Sequence, residues 1–323
     1  MLLQRVILAE PRGFCAGVDR AIEILDRTLE QLDTPVYCRR EIVHNRHVVE
    51  SFERKGVIFV DELHEVPEGA TTVFSAHGIA PSVKEEAKTR HLQALDATCP
   101  LVTKVHHEIS RFARHDSTIL YIGHRNHDEA IGVMGEAPDK VILIENADQA
   151  RTVHVPDESN VACLTQTTLS IDDTQHILSI LKERFPSLMT PDKSDVCYAT
   201  QNRQEAVKAV ADKVDLVLVL GSTTSSNSKR LVEVARTRDT TAMLIGSVDD
   251  IDPQWIDDNE AIGITAGAST PEILVQEVVE YFKKQGVREI STLNVAQEDI
   301  TFSLPKELQD APEDLATTPR VPA

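Results

Sequence analysis

The stretch RVILAEPRGFCAGVDRAIEILDRTLEQL, residues 5–32, contains the structural unit that recurs along the rest of the chain. It opens with a short run rich in β-branched residues, which is typical of a buried strand. Beyond Cys15, apolar residues recur at helical spacing, at Val18, Ile22, Leu25, Leu29 and Leu32. We therefore expect Cys15 to lie in a turn between a strand and a helix.

Similar apolar runs, each followed by a helical stretch, occur throughout the chain. They begin at Thr72, Thr118, Val161, Leu216 and Ala261. Strands that alternate with helices indicate an α/β fold with parallel sheets, because the helices provide the crossovers that parallel strands require. With 323 residues, the chain is also long enough for two or three compact domains.

Charge and hydropathy argue against several classes of function. The formal net charge is −19, so the phosphate backbone of a nucleic acid would repel the chain. Hydrophobic residues make up 41% of the sequence, and no segment approaches the roughly 20 consecutive apolar residues of a membrane helix. Residues 1–10 lack the ordered regions of a signal peptide. We expect a cytoplasmic protein that binds neither nucleic acid nor membrane.

The chain has five cysteines, an odd number. In a long cytoplasmic chain, cysteines are more typical of reduced thiols, metal ligands or catalytic groups than of a disulfide framework. Cys38 and Cys163 lie inside strand-like runs, so we assign them to packing. Cys15, Cys99 and Cys197 are the candidates for a functional site.

A repeat in the placement of polar residues starts from these three cysteines. The first partners are His44, 29 residues after Cys15, His127, 28 after Cys99, and Ser225, 28 after Cys197. A second polar turn contains His77, Thr167 and Ser269, at 62, 68 and 72 residues from the same cysteines. The repeat predicts three α/β domains, over residues 1–97, 98–193 and 194–285, followed by a C-terminal extension over residues 286–323.

In open α/β sheets, ligands bind beyond the carboxyl ends of the strands, where these turns are expected. If the turns converge, three thiolates can hold a 4Fe-4S cluster and leave one iron open to a substrate. Two alternatives remain for the same residues. Three thiolates and a water can surround the single zinc ion of a hydrolase, or the thiols can be buried and unreactive.

The polar groups around the expected centre suit an anion such as a diphosphate. A bound anion can hold the imidazoles of His44, His77 and His127 protonated, and the hydroxyls and amide of residues 225–227 can donate to phosphate oxygens at a helix start. The sequence has neither a G-x-x-x-x-G-K-[ST] nor a G-x-G-x-x-G motif, so nucleotide hydrolysis and dinucleotide binding lack support. A non-catalytic anion-binding module is the alternative.

Glu129, two residues after His127, is a candidate proton donor. Reductive removal of a hydroxyl group requires two protons as well as two electrons, and neither a metal cluster nor a diphosphate-binding group supplies protons by itself. The adjacent Asp128 competes with Glu129 for this role.

Several long strings occur in order between about residue 5 and about residue 285. They include Pro11-Arg-Gly-Phe-Cys15, Ser75-Ala-His-Gly78, Asp96-Ala-Thr-Cys-Pro100, Thr165-Gln-Thr-Thr-Leu-Ser170, Cys197-Tyr-Ala-Thr-Gln-Asn-Arg203 and Ser225-Ser-Asn-Ser228. In this combination the chain strongly resembles the LytB (IspH) family of 4-hydroxy-3-methylbut-2-enyl diphosphate reductases.

The resemblance implies a trefoil of three pseudo-threefold-related α/β domains around one 4Fe-4S cluster, held by Cys15, Cys99 and Cys197. The open iron would engage the substrate's terminal oxygen. The products would be isopentenyl and dimethylallyl diphosphate, in the last step of the methylerythritol phosphate route, with electrons from a ferredoxin- or flavodoxin-type partner. The implied diphosphate ligands are His44, His77, His127, Ser225, Ser226, Asn227 and Ser269. Thr167, which would also contact the substrate, and Glu129 would position and deliver protons.

The chain departs from the family pattern in two turns. It has His127-Asp128-Glu129 where the family commonly has His-Pro-Glu, and Thr223-Thr224 where the family often has Lys-Asn. Loss of the proline frees a backbone N–H and loosens the turn, so we expect a less rigid Glu129 carboxylate. Residues from about 301 to 323 carry four prolines among charged residues and are expected to be partly disordered.

Overall fold

The computed structural model describes residues 3–32 and 35–309. The strands are β1 (Arg5–Glu10), β2 (Val36–Arg39), β3 (Ile58–Val60), β4 (Thr71–Phe74), β5 (Gln93–Asp96), β6 (Thr118–Ile122), β7 (Val141–Ile144), β8 (Val161–Thr165), β9 (Leu216–Leu220), β10 (Thr241–Ile245), β11 (Ala261–Ala266) and β12 (Glu289–Asn294). The α-helices are α1 (Ala16–Gln31), α2 (Arg46–Arg54), α3 (Pro81–Thr89), α4 (Pro100–Arg114), α5 (Asp128–Met134), α6 (Ala147–Thr152), α7 (Ile171–Arg184), α8 (Tyr198–Ala211), α9 (Ser226–Arg236), α10 (Gln254–Asp258) and α11 (Glu272–Lys284).

These strands form three sheets. Their orders are β3-β2-β4-β5, β7-β6-β8 and β10-β9-β11-β1-β12. All strand pairs within the sheets are parallel. The α/β fold with parallel sheets, and each of the strands expected from the apolar runs, is therefore confirmed.

The three sheets share one strand order. The shared part is β3-β2-β4 in the first sheet, β7-β6-β8 in the second and β10-β9-β11 in the third, so in each of these triplets the strand that comes first in the chain lies between the other two. A fourth segment then pairs with the third strand. In the first sheet this segment is β5, and in the third it is β1. In the second sheet a single residue, Met189, forms an isolated bridge with Ala162 of β8. Each of these segments precedes a candidate cysteine, because Cys15 follows β1, Cys99 follows β5 and Cys197 follows Met189.

Strand β1 completes the third sheet although it comes first in the chain. It pairs with β11 from Arg5 opposite Ala261 to Leu8 opposite Ile264, and β12 pairs with its other edge. The domain scheme expected from the repeat places residues 5–10 in the first domain, whereas the strand joins the sheet of the third. The apolar run specifies a buried strand but not its partner, which tertiary packing selects. The boundaries near residues 97 and 194 remain a prediction.

Helices cover both faces of the sheets, which explains why the strands are continuous apolar runs. In β9, Leu216, Leu218 and Leu220 pack into one core cluster with residues of α11. The intervening Val217 and Val219 pack into a second cluster with residues of α8 and α9. Separate apolar clusters likewise lie within the other two sheet regions. The two-sided burial fixes the carboxyl ends of the strands, from which the polar turns emerge.

The segment after α11 is more ordered than its composition suggests. Leu308 is only 2% exposed and packs into the core cluster that contains Ile24 and Leu25 of α1. Arg20 donates to the Ser303 carbonyl at 2.8 Å, and Arg27 donates to the Leu308 carbonyl at 3.1 Å. Residues 301–309 thus form the ordered start of the tail that we expect to be partly disordered, because one apolar side chain docks against α1. The rest of that expectation, for residues 310–323, lies outside the described residues.

Within the described ranges, no helix is both long and apolar enough to cross a membrane.

Candidate active site

Each candidate cysteine immediately precedes a helix. Cys15 is the N-cap of α1, Cys99 of α4 and Cys197 of α8. The expected position of Cys15, between a strand and a helix, is thus confirmed. Backbone N–H groups at the start of a helix favour negative charge, so they partly offset the cost of burying a thiolate at each of the three sulfur atoms.

Backbone hydrogen bonds tie each cysteine to a second polar turn. The N–H of Cys15 donates to the Ala268 carbonyl at 3.3 Å, that of Cys99 to Ala76 at 3.0 Å, and that of Cys197 to Thr167 at 3.1 Å. Ala268 and Ala76 directly precede Ser269 and His77, the polar residues of their own turns. Every cysteine is therefore attached to the turn at the end of a strand, next to the residues that the repeat singles out.

The three thiols lie close enough to influence one another electrostatically. Burial, with a smaller contribution from the charge of a thiolate at Cys15, raises the pKa of Cys99 to about 12 and that of Cys197 to about 11. Burial also raises the pKa of Cys15, while the nearby Arg203 lowers it. A methyl group at Gly17 would lie 2.5 Å from Cys99 Sγ and 3.9 Å from Cys15 Sγ. Three thiolates at this site therefore require a positively charged group between them.

The spacing of the three sulfurs tests the zinc alternative. Zn–S distances of about 2.3 Å in a tetrahedral site place the sulfurs about 3.8 Å apart. In the part of the chain that the structure describes, one group of three possible metal ligands has its atoms within 4.8 Å of one another, and it contains no cysteine. The geometry of the cysteines therefore does not fit a single zinc ion. Cys38 and Cys163 lie in β2 and β8 and are buried, as expected for packing residues.

The three histidines that the repeat predicts form one cluster. The rings of His44 and His77 stack at 3.9 Å, and the His127 ring lies 5.5 Å from the first and 5.8 Å from the second. Burial lowers the pKa of His127 to about 4, and burial together with the neighbouring His44 lowers the pKa of His77 well below its usual value. The imidazoles of His77 and His127 are therefore neutral without a ligand. A bound anion would raise the pKa values of these imidazoles, and the protonated rings would then donate charge-assisted hydrogen bonds to it.

The start of α9 supplies hydroxyl and amide groups near the same turns. Ser225 caps the helix by accepting from the Ser228 N–H at 3.2 Å. Ser226 Oγ donates to the Thr168 carbonyl at 3.4 Å, next to Thr167. Asn227 Oδ1 accepts from the Ala268 N–H at 2.9 Å, whereas its Nδ2 is buried without a hydrogen-bond partner. A buried amide donor without an acceptor is suited to a ligand oxygen.

Ser269 and the histidine cluster are joined directly. Ser269 Oγ donates to the His44 carbonyl at 3.0 Å. Together with the contacts of residues 225–227, this bond brings all the predicted diphosphate ligands into one region beside the cysteines. The roles of these residues remain predictions.

Glu129 is buried, with 2% exposure, and both of its oxygens are engaged by one residue. Oε1 accepts from the Thr167 N–H and Oε2 accepts from Thr167 Oγ1, each at 2.7 Å. Burial raises its pKa to about 7 against the lowering effect of these two bonds. Thr167 holds the carboxylate at both oxygens, and the expectation of a less rigid carboxylate without the family proline stays a prediction.

Two residues that support the cysteines were missed by sequence analysis. Thr200 donates its N–H to Cys197 Sγ at 3.4 Å and places its hydroxyl 3.1 Å from the same sulfur. The Cys-x-x-Thr spacing is that of an N-cap and the third helical residue, so this contact was detectable from the sequence. Arg203 is fully buried and donates to the carbonyls of Gly13 and Phe14. Nothing in the sequence signals that contact.

The parallel α/β fold brings three helix-capping cysteines, a buried acid and a cluster of histidine, hydroxyl and amide groups into one region, an arrangement typical of an enzyme active site. A family model described as LytB protein matches residues 6–283. The chain belongs to the LytB family.

Named relatives are similar over nearly the full chain. The 4-hydroxy-3-methylbut-2-enyl diphosphate reductases of Rhodococcus opacus and Mycolicibacterium paratuberculosis are each 54% identical over 95% of this chain, which covers 92% and 93% of their lengths. A solved E-1-hydroxy-2-methyl-but-2-enyl-4-diphosphate reductase from Plasmodium falciparum is 38% identical, with a TM-score of 0.90 over 95% of this chain and 97% of that one. A second solved structure, described as (E)-4-hydroxy-3-methyl-but-2-enyl diphosphate reductase, is 28% identical, with a TM-score of 0.63 over 88% of this chain and all of that one.

Proposed function

We propose that this protein reduces (E)-4-hydroxy-3-methylbut-2-enyl diphosphate to isopentenyl and dimethylallyl diphosphate, the last step of the methylerythritol phosphate pathway. The substrate loses its hydroxyl group as water, and two electrons and two protons are consumed. One observation carries the proposal: the turn of Thr167 binds both the Cys197 backbone and the buried carboxylate of Glu129. A metal-binding cysteine and a proton donor are thereby adjacent. The relatives named as this reductase support the same conclusion.

One 4Fe-4S cluster with three cysteine ligands is the cofactor that we propose. Cys15, Cys99 and Cys197 are spaced too widely for one ion, and their thiolates need a positively charged partner. When bound, the cluster supplies electrons and an open iron for the substrate oxygen. A pseudo-threefold trefoil around it is part of this proposal. The cyclic set of bonds, in which each cysteine N–H donates to the turn of another repeat, supports that arrangement.

The polar turns bind the diphosphate in this proposal. His44, His77 and His127 become protonated beside the anion and donate to its oxygens. The Asn227 amide, which lacks an acceptor, and the hydroxyls of Ser225, Ser226 and Ser269 provide neutral donors. The start of α9 adds its unpaired N–H groups, which favour negative charge. The anion is thereby held with its hydroxymethyl end toward the cysteines.

Glu129 delivers protons in this proposal. A carboxyl group with a pKa of about 7 is protonated for much of the time near neutral pH and can release that proton to a departing hydroxyl group. Thr167 keeps the carboxyl group oriented through its N–H and hydroxyl, and we propose that it also contacts the substrate. Electrons are proposed to come from a ferredoxin- or flavodoxin-type partner, in the reducing environment of the cytoplasm.

Anaerobic purification tests the proposal. We expect a brown protein that contains about four irons and four sulfides per chain and oxidises a reduced viologen dye only when the substrate is present. Cys197→Ala should lose both iron and activity, whereas Cys163→Ala, at a buried strand position, should keep both. An active preparation with one zinc and no sulfide would refute the proposal.

A further inference from the structure

A second group of possible metal ligands lies apart from the cysteines. Ligand atoms of His44, His77 and Asp128 all lie within 4.8 Å of one another. Among these, His44 Nε2 is 3.8 Å from Asp128 Oδ2. Two imidazoles and one carboxylate are a ligand set that suits zinc and other divalent transition metals, which bind nitrogen and oxygen at about 2.0–2.2 Å. A small closing movement of these side chains brings three ligands to one ion.

Two of these ligand side chains are hydrogen-bonded through one polar atom, which leaves their second polar atom free to bind a metal ion. His44 Nδ1 lies 2.8 Å from Glu41 Oε2. A carboxylate only accepts, so Nδ1 donates to it, and the other ring nitrogen, Nε2, is the one that faces Asp128. In the same way, Arg40 donates to Asp128 Oδ1, which leaves Oδ2 facing His44. Metal-binding histidines and carboxylates are typically oriented by such hydrogen bonds at their second atom.

His77 is also in the form that binds metal. Its Nδ1 is buried and has no hydrogen-bond partner, and its ring stacks on that of His44. A buried ring nitrogen without a partner can act as a ligand to a metal ion.

A network of charged side chains surrounds these ligands. Glu62 accepts from Arg39 at 2.8 Å and from Arg40 at 3.3 Å, so this carboxylate and these two guanidinium groups form one network with Asp128. The carboxylates of Asp128 and Glu41 lie on opposite nitrogens of the His44 ring, and both would attract a cation bound there.

We propose that His44, His77 and Asp128 form a binding site for a divalent transition-metal ion, and that an ion held there excludes the diphosphate. The exclusion follows because the same imidazole nitrogens cannot bind a metal and donate a hydrogen to a phosphate oxygen. The metal site stands on geometry alone, whereas the exclusion rests on the proposed function. Micromolar zinc therefore inhibits the enzyme at its substrate pocket without touching its cysteines.

Zinc binding is measured on the anaerobically prepared holoenzyme by equilibrium dialysis and metal analysis. We expect one more zinc per chain in the wild type than in Asp128→Asn. The exposed Asp148→Asn serves as the matched control and should bind like the wild type. Glu41→Gln should weaken binding about 10–100-fold, as loss of an outer contact typically does. X-ray absorption at the zinc edge should show nitrogen or oxygen neighbours at about 2.0–2.1 Å.

Two results would overturn the metal site: equal zinc in the wild type and in both Asp128→Asn and Glu41→Gln, or a sulfur shell at about 2.3 Å. The exclusion is tested separately by kinetics. Zinc should raise the KM for the allylic diphosphate in the wild type and leave kcat unchanged. A chelator should restore the original KM. In Asp128→Asn, zinc should change neither constant. An unchanged wild-type KM at saturating zinc refutes the exclusion. A chain that binds zinc but never turns over refutes the proposed function and leaves the metal site standing.

Discussion

The hydroxyl of Thr167 sets the proton affinity of Glu129, so Thr167→Val should move the pH dependence of turnover. In the wild type, burial raises the pKa of Glu129 to about 7, while the hydroxyl and N–H of Thr167 hold it lower than burial alone would. If Glu129 must be protonated to act as an acid, kcat falls as pH rises through this pKa. Valine has the shape of threonine but donates no hydrogen bond.

The size of the shift follows from the bond that is lost. The 2.7 Å bond from Thr167 Oγ1 to Glu129 Oε2 is charge-assisted, and such bonds contribute about 1.5–3 kcal/mol. Each pKa unit corresponds to about 1.4 kcal/mol. Loss of the bond destabilises the carboxylate form, so the pKa rises by about 1–2 units. The alkaline limb should therefore move from about pH 7 to about pH 8–9.

The assay is kcat against pH with a reduced dye, using protein of equal iron content. Thr168→Val is the matched control, because its hydroxyl contacts Gln166 and not Glu129, and its limb should stay in place. Glu129→Gln should have no such limb and should lose about 10²–10⁴-fold in kcat. If the alkaline limb of Thr167→Val remains at the wild-type pH or moves to lower pH, the hydroxyl of Thr167 does not lower the pKa of Glu129.

Three further changes test other parts of the structure. Because the pKa of Glu129 is 4.5 in the unfolded chain and about 7 in the folded one, the free energy of unfolding of the wild type should fall as pH rises through this range. Relative to the wild type, the free energy of unfolding of Glu129→Gln should therefore increase by about 3 kcal/mol between pH 4 and pH 8 in denaturant titrations. Equal pH profiles for the two proteins would contradict this. Leu308→Ala should cost about 2–5 kcal/mol, whereas the 46% exposed Ile300→Ala should change stability by less than about 0.5 kcal/mol; equal effects would show that Leu308 is not docked. Gly17→Ala places a methyl group 2.5 Å from Cys99 Sγ and should lower the iron content per chain, so a full complement of iron would argue against close approach of that sulfur.

The sequence predicted the parts of the fold that local patterns determine. Buried strands stand out as runs such as Leu216-Val-Leu-Val-Leu220, because both faces of each sheet are covered. Spacing from the cysteines also located the second polar turns, since sheets with the same strand order place equivalent turns at similar separations. Resemblance to a known family then supplied the cluster and the substrate, which spacing alone cannot specify.

Contacts between distant residues could not be predicted in the same way. The bond between Glu129 and Thr167 joins residues that are 38 positions apart, and its burial raises a pKa that is ordinary in an exposed acid. In a chain with 52 acidic residues, its position two residues after His127 marks Glu129 as a candidate, but no local signal shows that it is buried or that its pKa is raised. The ion pair of Arg40 with Asp128 spans 88 positions, so the partner of this aspartate appears only after folding.

The position of β1 has a consequence for the synthesis of the protein. This strand leaves the ribosome first, but its partner β11 ends at Ala266, about 250 residues later. At translation rates of about 5–20 residues per second, β1 waits on the order of 10–50 s before it can pair. The N–H of Cys15 waits equally long for the Ala268 carbonyl. Assembly of the turn that holds Cys15 is therefore a late event, which begins only when Ala268 has been made.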